Sequence, residues 1–192
     1  MNFNLSPTLQ NAKVILRPLQ LSDEAALQPI ANDKECWMYS PTDLSQPGAL
    51  HKYMAEAIAE REAGICVVFT IIDDATNRIA GSTRLAEISW QHEHAHLGWT
   101  WIAPEFRGTG LNKAMKFEIL CYGFEVLGLN RIQLRADERN IRSCKAIAGL
   151  GAKYEGTVRQ HIKLYDGFLR SSAYYSILKS EWPESPLHKL KF

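Results

Sequence analysis

The residues with the clearest chemical potential lie in Arg107-Gly108-Thr109-Gly110, between a β-branched and aromatic run and a long apolar one. A strand that passes straight into a helix leaves the first N–H groups of that helix unpaired, at the positive end of its dipole. That arrangement attracts an anion. Gly108 and Gly110 let the main chain approach a phosphate with no Cβ in the way, and Arg107 can add a charged contact. The amides of Arg107, Gly108, Thr109, Gly110, Leu111 and Asn112 are therefore candidate phosphate ligands. The same glycines would equally serve a tight turn needed for geometry alone. Two familiar nucleotide motifs do not fit. No Ser or Thr follows Lys113, and no G-x-G-x-x-G leads to an acid on a parallel strand.

Further along, Asn140 stands three residues before Ser143, the spacing of a helix cap and its first turn. Cys144 follows at a helix start, where a thiol pKa can fall, although a small packed helix residue is the plainer reading. His92, His94 and His96 alternate and would share one strand face. No Cys or carboxylate cluster accompanies them, so no metal is expected. Groups able to carry a proton near the loop are Glu87, Glu93, His94, His96 and His161. Imidazole titrates near neutrality. Glu87 and His161 also read simply as solvated strand residues.

The elements that must position these groups can be read from periodicity. Strands are expected over Lys13–Leu19, Cys66–Ile72, Ile79–Ile88, His94–Ile102, Arg131–Ala136, Tyr154–Gln160 and Ser172–Leu178. Helices are expected from a Ser22 and Asp23 cap through Ile30, and over Ala49–Glu62, Leu111–Leu127 and Ile141–Leu150. The tail from Pro183 reads as frayed. This order predicts one α/β (α+β) domain over residues 13–183, a mixed but mostly antiparallel twisted sheet flanked by helices. Residues 1–12 and 184–192 read as short extensions.

The chain of 192 residues carries a formal charge of +1, so nothing drives it toward nucleic acid or an anionic membrane. Four scattered cysteines and no apolar stretch of membrane-spanning length point to a cytoplasmic protein.

The segment around Gly108 and Gly110 resembles motif A of the GNAT acetyltransferase superfamily, [Q/R]-x-x-G-x-[G/A], with Glu105 in place of the leading Gln or Arg. The stretch from Arg135 to Gly156 is similar to the family's strand, N-x-x-S helix and closing glycine motif, with Asn140, Ser143, Gly151, Glu155 and Gly156 at its positions. The opening ILRPLQLSD and the ending DGFLRSSAYYSILKSEWP resemble the branch that contains the ribosomal-protein N-terminal acetyltransferases.

The resemblance implies acetyl transfer from acetyl-CoA to an amine acceptor, a protein N-terminus or a small molecule, by direct attack. It implies that the loop amides hold the CoA pyrophosphate and that Trp101, Ile102 and Ala103 lend backbone groups. Asn140 would lie near the pantetheine, and Ser143 would donate to the departing sulfur. The acid that this branch uses after the closing motif has no matching Glu. Glu87 and His161 thus stand as alternative bases. A homodimer is compatible with the resemblance. A non-catalytic sensor of CoA or acyl-CoA is the alternative, and RNA attachment is disfavoured by the charge.

Overall fold

Residues 3–190 and 192 are described by the computed structural model. The first strands, β1 (Leu9–Gln10) and β2 (Val14–Pro18), are joined by a turn in which Asn11 Oδ1 accepts from the amides of Lys13 and Val14. Helix α1 (Glu24–Ala31) follows a single 3-10 turn at Leu21–Asp23. Asp23 stands at the N-cap of α1 as expected, Gln20 is the N-cap of the 3-10 turn, and Ser22 lies inside that turn. Asp23 reaches back, accepting from Gln20 N–H at 3.0 Å, from Arg17 and from Thr70, so this buried carboxylate is satisfied on every side.

Helix α2 (Ala49–Glu62) leads into β3 (Val67–Asp73), β4 (Arg78–Ser89) and β5 (His94–Ile102). Helix α3 (Leu111–Cys121) continues into a π-helical turn at Tyr122–Val126, so the expected long helix widens at its end. Gly123 permits this close approach, since a Cβ there would sit 2.6 Å from Ile132 Cδ1. Strand β6 (Arg131–Asp137), helix α4 (Ile141–Ala148), β7 (Lys153–Lys163) and β8 (Leu169–Leu178) complete the domain.

The strand order is β1-β2-β3-β4-β5-β6-β8-β7, antiparallel except for β5 and β6. Alternation along β4 assigns the layers. Arg84 meets Tyr53 and Glu60 of α2, while its neighbour Thr83 bonds Thr100, which Lys116 of α3 reaches. So α2 covers one face and α3 the other. The core between them is apolar, with Phe69, Leu85, Met115 and Ile119 fully buried. Burying each such side chain contributes about 1.5–3 kcal/mol.

On the α2 face the second half of the sheet is polar. Arg131, Gln133, Arg135 and Asp137 of β6 stand opposite Leu178, Ser176, Tyr174 and Ser172 of β8. The tail departs from expectation. Trp182 and Leu187 are buried and Phe192 packs on Phe117 at 5.6 Å, because Phe117 and Phe124 leave an apolar seat there. Residues 1, 2 and 191 of the expected extensions lie outside the described residues.

Candidate functional site

Strands β5 and β6 pair only through His94–Arg131, Ala95–Ile132 and His96–Gln133. Beyond that seam β5 stays on β4 and β6 stays on β8, so a gap opens between them. A bulge shapes the β5 bank: the register with β4 slips between Ser82 and Arg84, and Trp99 takes φ +49°. Beneath it Lys116 Nζ donates to Thr100 Oγ1 at 2.9 Å. Burial drops the Lys116 pKa to about 7. Ala103 N–H is bonded to Ala80 and Trp101 stands opposite Ser82, so both turn their main chain toward β4. Alternation leaves Thr100 and Ile102 facing the gap. Of the three residues expected to lend backbone groups there, Ile102 alone is so oriented.

The glycine loop sits at the end of this bank. Gly108 and Gly110 have φ of +78° and +94°, values that favour glycine. The N–H groups of Gly108, Thr109 and Gly110 donate to nothing among the described residues, whereas Arg107 N–H is held by Pro104 and Leu111 N–H by Thr109 Oγ1. A Cβ at Gly108 would meet nothing within 4 Å, so the space above is open. Free amides at a helix start, with room before them, fit a diphosphate.

The expected charged contact from Arg107 is corrected. Its guanidinium turns away to Asp33 at 2.5 Å and Glu35 at 3.3 Å, with Nε on Ile102 O at 2.9 Å. Two carboxylates on the Lys34–Cys36 turn outcompete open solvent for it. The cation beside the loop is instead Lys13, whose Nζ lies 3.8 Å from a Cβ built on Gly110.

Across the gap, Asn140 caps α4, its Oδ1 accepting from Ser143 N–H at 3.1 Å. The Ser143 hydroxyl forms no hydrogen bond among the described residues, and no residue of α4 is fully buried. Cys144 is a packed residue, with its Sγ 3.7 Å from Asp137 O.

The two base candidates belong to one chain of polar contacts on the α2 face. Glu87, at φ +54° in a second β4 bulge, is 2.7 Å from Arg135 and 3.7 Å from His96 Nδ1, the latter beyond hydrogen-bond reach. Arg135 meets Tyr174 OH at 3.4 Å, and that hydroxyl meets His161 Nε2 at 3.1 Å. His96 and Arg135 together hold the Glu87 carboxyl down to about 2, against the upward push of burial. Burial, with Arg135 and Arg170, moves His161 below its ordinary value. Buried His96 is also lowered, and both its ring nitrogens lack hydrogen-bond partners among the described residues. His92 and His94 stack on each other and stand apart from this chain of contacts.

An acetyltransferase (GNAT) domain family model matches residues 13–153. The chain belongs to the GNAT acetyltransferase family. An uncharacterized N-acetyltransferase, p20 of Bacillus licheniformis, is 27% identical over 91% of this chain and 98% of its own. The fold matches Mycobacterium smegmatis RimJ in complex with CoA-disulfide, at TM-score 0.82 and 24% identity over 96% and 92% of the two chains. It also matches the ribosomal-protein-S5-alanine acetyltransferase of Vibrio fischeri, at TM-score 0.74 and 18% identity over 92% and 98%. This GNAT chain is thus an N-acetyltransferase that uses acetyl-CoA as acetyl donor to an amine. Its curated relatives are named as N-acetyltransferases, which favours the enzyme over the sensor.

Sequence reasoning missed Lys13, Arg135, Tyr174 and Arg170. The signal for the last three was the alternation of polar residues in RIQLRAD and LRSSAYYSIL, which marks a sheet face with no helix over it. No helix among the described residues is long and apolar enough to cross a membrane.

Proposed function

We propose that this enzyme acetylates a primary amine that enters on the polar α2 face and attacks directly, without an acyl-enzyme. The observation that carries this is the gap beyond the β5–β6 seam, with free loop amides on one bank and the Glu87–Arg135–Tyr174–His161 chain beside it. The Gly108, Thr109, Gly110 and Asn112 amides hold the diphosphate, and Lys13 adds charge. Bound acetyl-CoA supplies an acetyl group already activated as a thioester. Asn140 sets the first turn of α4, and the Ser143 hydroxyl donates to the sulfur as charge builds on it.

An amine of pKa near 10 arrives as an ammonium and must lose a proton. Glu87, ionised throughout the neutral range, attracts that ammonium but is too weak a base to keep its proton. His161 is neutral at pH 7, is bonded to Tyr174 and takes the proton. The name of the Vibrio fischeri relative favours a protein N-terminus as acceptor. A homodimer is compatible with this assignment, as is a cytoplasmic location.

The test is a pH profile of kcat/KM. His161→Gln is expected to erase the acidic limb and cost about 10²-fold or more at pH 7. Glu87→Gln should raise KM for the amine while keeping that limb. A wild-type limb in His161→Gln would return the role of base to Glu87 or to the solvent.

A further inference from the structure

Two arginines of the described chain are almost wholly buried, Arg84 at 4% and Arg170 at 8% exposure. Arg84 has Glu60 at 3.1 Å. Arg170 has no carboxylate within salt-bridge distance among the described residues. Its Nε donates to Ser172 Oγ at 3.0 Å and its Nη1 to Tyr39 O at 2.7 Å, both neutral acceptors. Among the described residues Nη2 has no acceptor. The carboxylate across from Ser172 is Asp137, and Arg139 has already taken both of its oxygens, at 3.0 and 2.6 Å.

A buried charge without a counter-charge is costly, and arginine cannot shed its proton. The contrast with Lys116 is direct. That amine, equally buried, relieves its cost by dropping its pKa to about 7. Arg170 has no such escape.

The position of Arg170 ties it to the acceptor side. Arg170, Ser172 and Tyr174 share one face of β8, so the guanidinium bonded to Ser172 lies about 7 Å along the strand from Tyr174. Beside it Arg139 stacks on Phe168 at 3.8 Å and faces Tyr39 at 5.6 Å, and Met38 and Leu169, the sequence neighbours of Tyr39 and Arg170, are exposed.

We propose that Arg170 is the specificity residue for an acceptor that carries a carboxylate one residue beyond its reactive amine, such as a peptide with an acidic second residue. The carboxylate completes the ion pair that the protein leaves open, by accepting from Nη2. The amine then lies toward Tyr174, His161 and Glu87. This rests on the assignment of the acceptor to the α2 face.

The test is acetyl-CoA turnover by the full chain on three C-terminally amidated dipeptides, Ala-Glu, Ala-Gln and Ala-Lys. Wild type is expected to show kcat/KM for Ala-Glu about 10-fold or more above Ala-Gln, with Ala-Lys lowest. That ratio should shrink as salt rises. Arg170→Gln should bring it to within about twofold of one, and Arg170→Lys should keep part of it. The wild-type series decides the matter even if the glutamine variant does not fold. Equal rates on Ala-Glu and Ala-Gln overturn the carboxylate site and leave the transferase reading standing. No turnover with any of the three overturns the protein N-terminus as acceptor and the carboxylate site with it.

Discussion

The two banks of the gap present polarity in opposite ways. On the α3 bank the polar groups are main-chain amides, fixed by two glycines and a helix start, and the neighbouring side chain Arg107 is occupied elsewhere. On the β6–β8 bank they are side chains, long and mostly paired, on a sheet face that no helix among the described residues covers. A main-chain site is indifferent to what lies beyond the phosphates. A side-chain site can be changed residue by residue. One bank suits a constant donor and the other a variable acceptor.

Breaking the first bank should have the largest effect. Gly110→Val puts a β-branched residue at φ +94° in the helix cap, and should cost about 100-fold in CoA affinity by calorimetry. Retained affinity would mean that side chains such as Lys13 hold the donor. Ser143→Ala should lower kcat about 10-fold, with KM for acetyl-CoA little changed. A KM effect alone would make it a binding residue.

Lys116 sharpens the contrast from beneath the bulge. Its pKa of about 7 in the fold against an ordinary 10.5 means that the unfolded chain holds a proton that the folded chain lacks between those values. Stability should therefore rise with pH across that window, and Lys116→Met should flatten the rise and lift the Tm at pH 7 by roughly 5 °C. Denaturant melts at pH 7 and pH 9 check this. A variant as pH-sensitive as the wild type would show that the amine stays charged. The smallest effect is expected from Arg107→Gln: a change in KM for acetyl-CoA of less than about threefold, with some loss of stability from the freed Asp33. A larger loss would put the guanidinium back on the phosphates.

The same contrast explains what could be read in the sequence. Gly108, Gly110 and the Asn140–Ser143 spacing were legible because backbone conformation restricts residue choice. Arg107 was misjudged because its partners, Asp33 and Glu35, lie more than 70 residues away in sequence. Glu87 was found at its strand end, yet its low pKa depends on His96 and Arg135 from two other strands. The strand positions were legible from alternation, but the bulges at Trp99 and Glu87 were not, since neither position carries a glycine. The docked tail was hidden because its seat is made by Phe117 and Phe124, far upstream.

The seam of three residue pairs makes the sheet two ribbons tacked together at one end. A ligand lying in the gap would act as a clasp between them, and its departure would let the ribbons breathe about the tack. Amide protons of Leu134 to Asp137 and of Thr100 to Ile102 should then exchange together, slowed as a group whenever the clasp is in place.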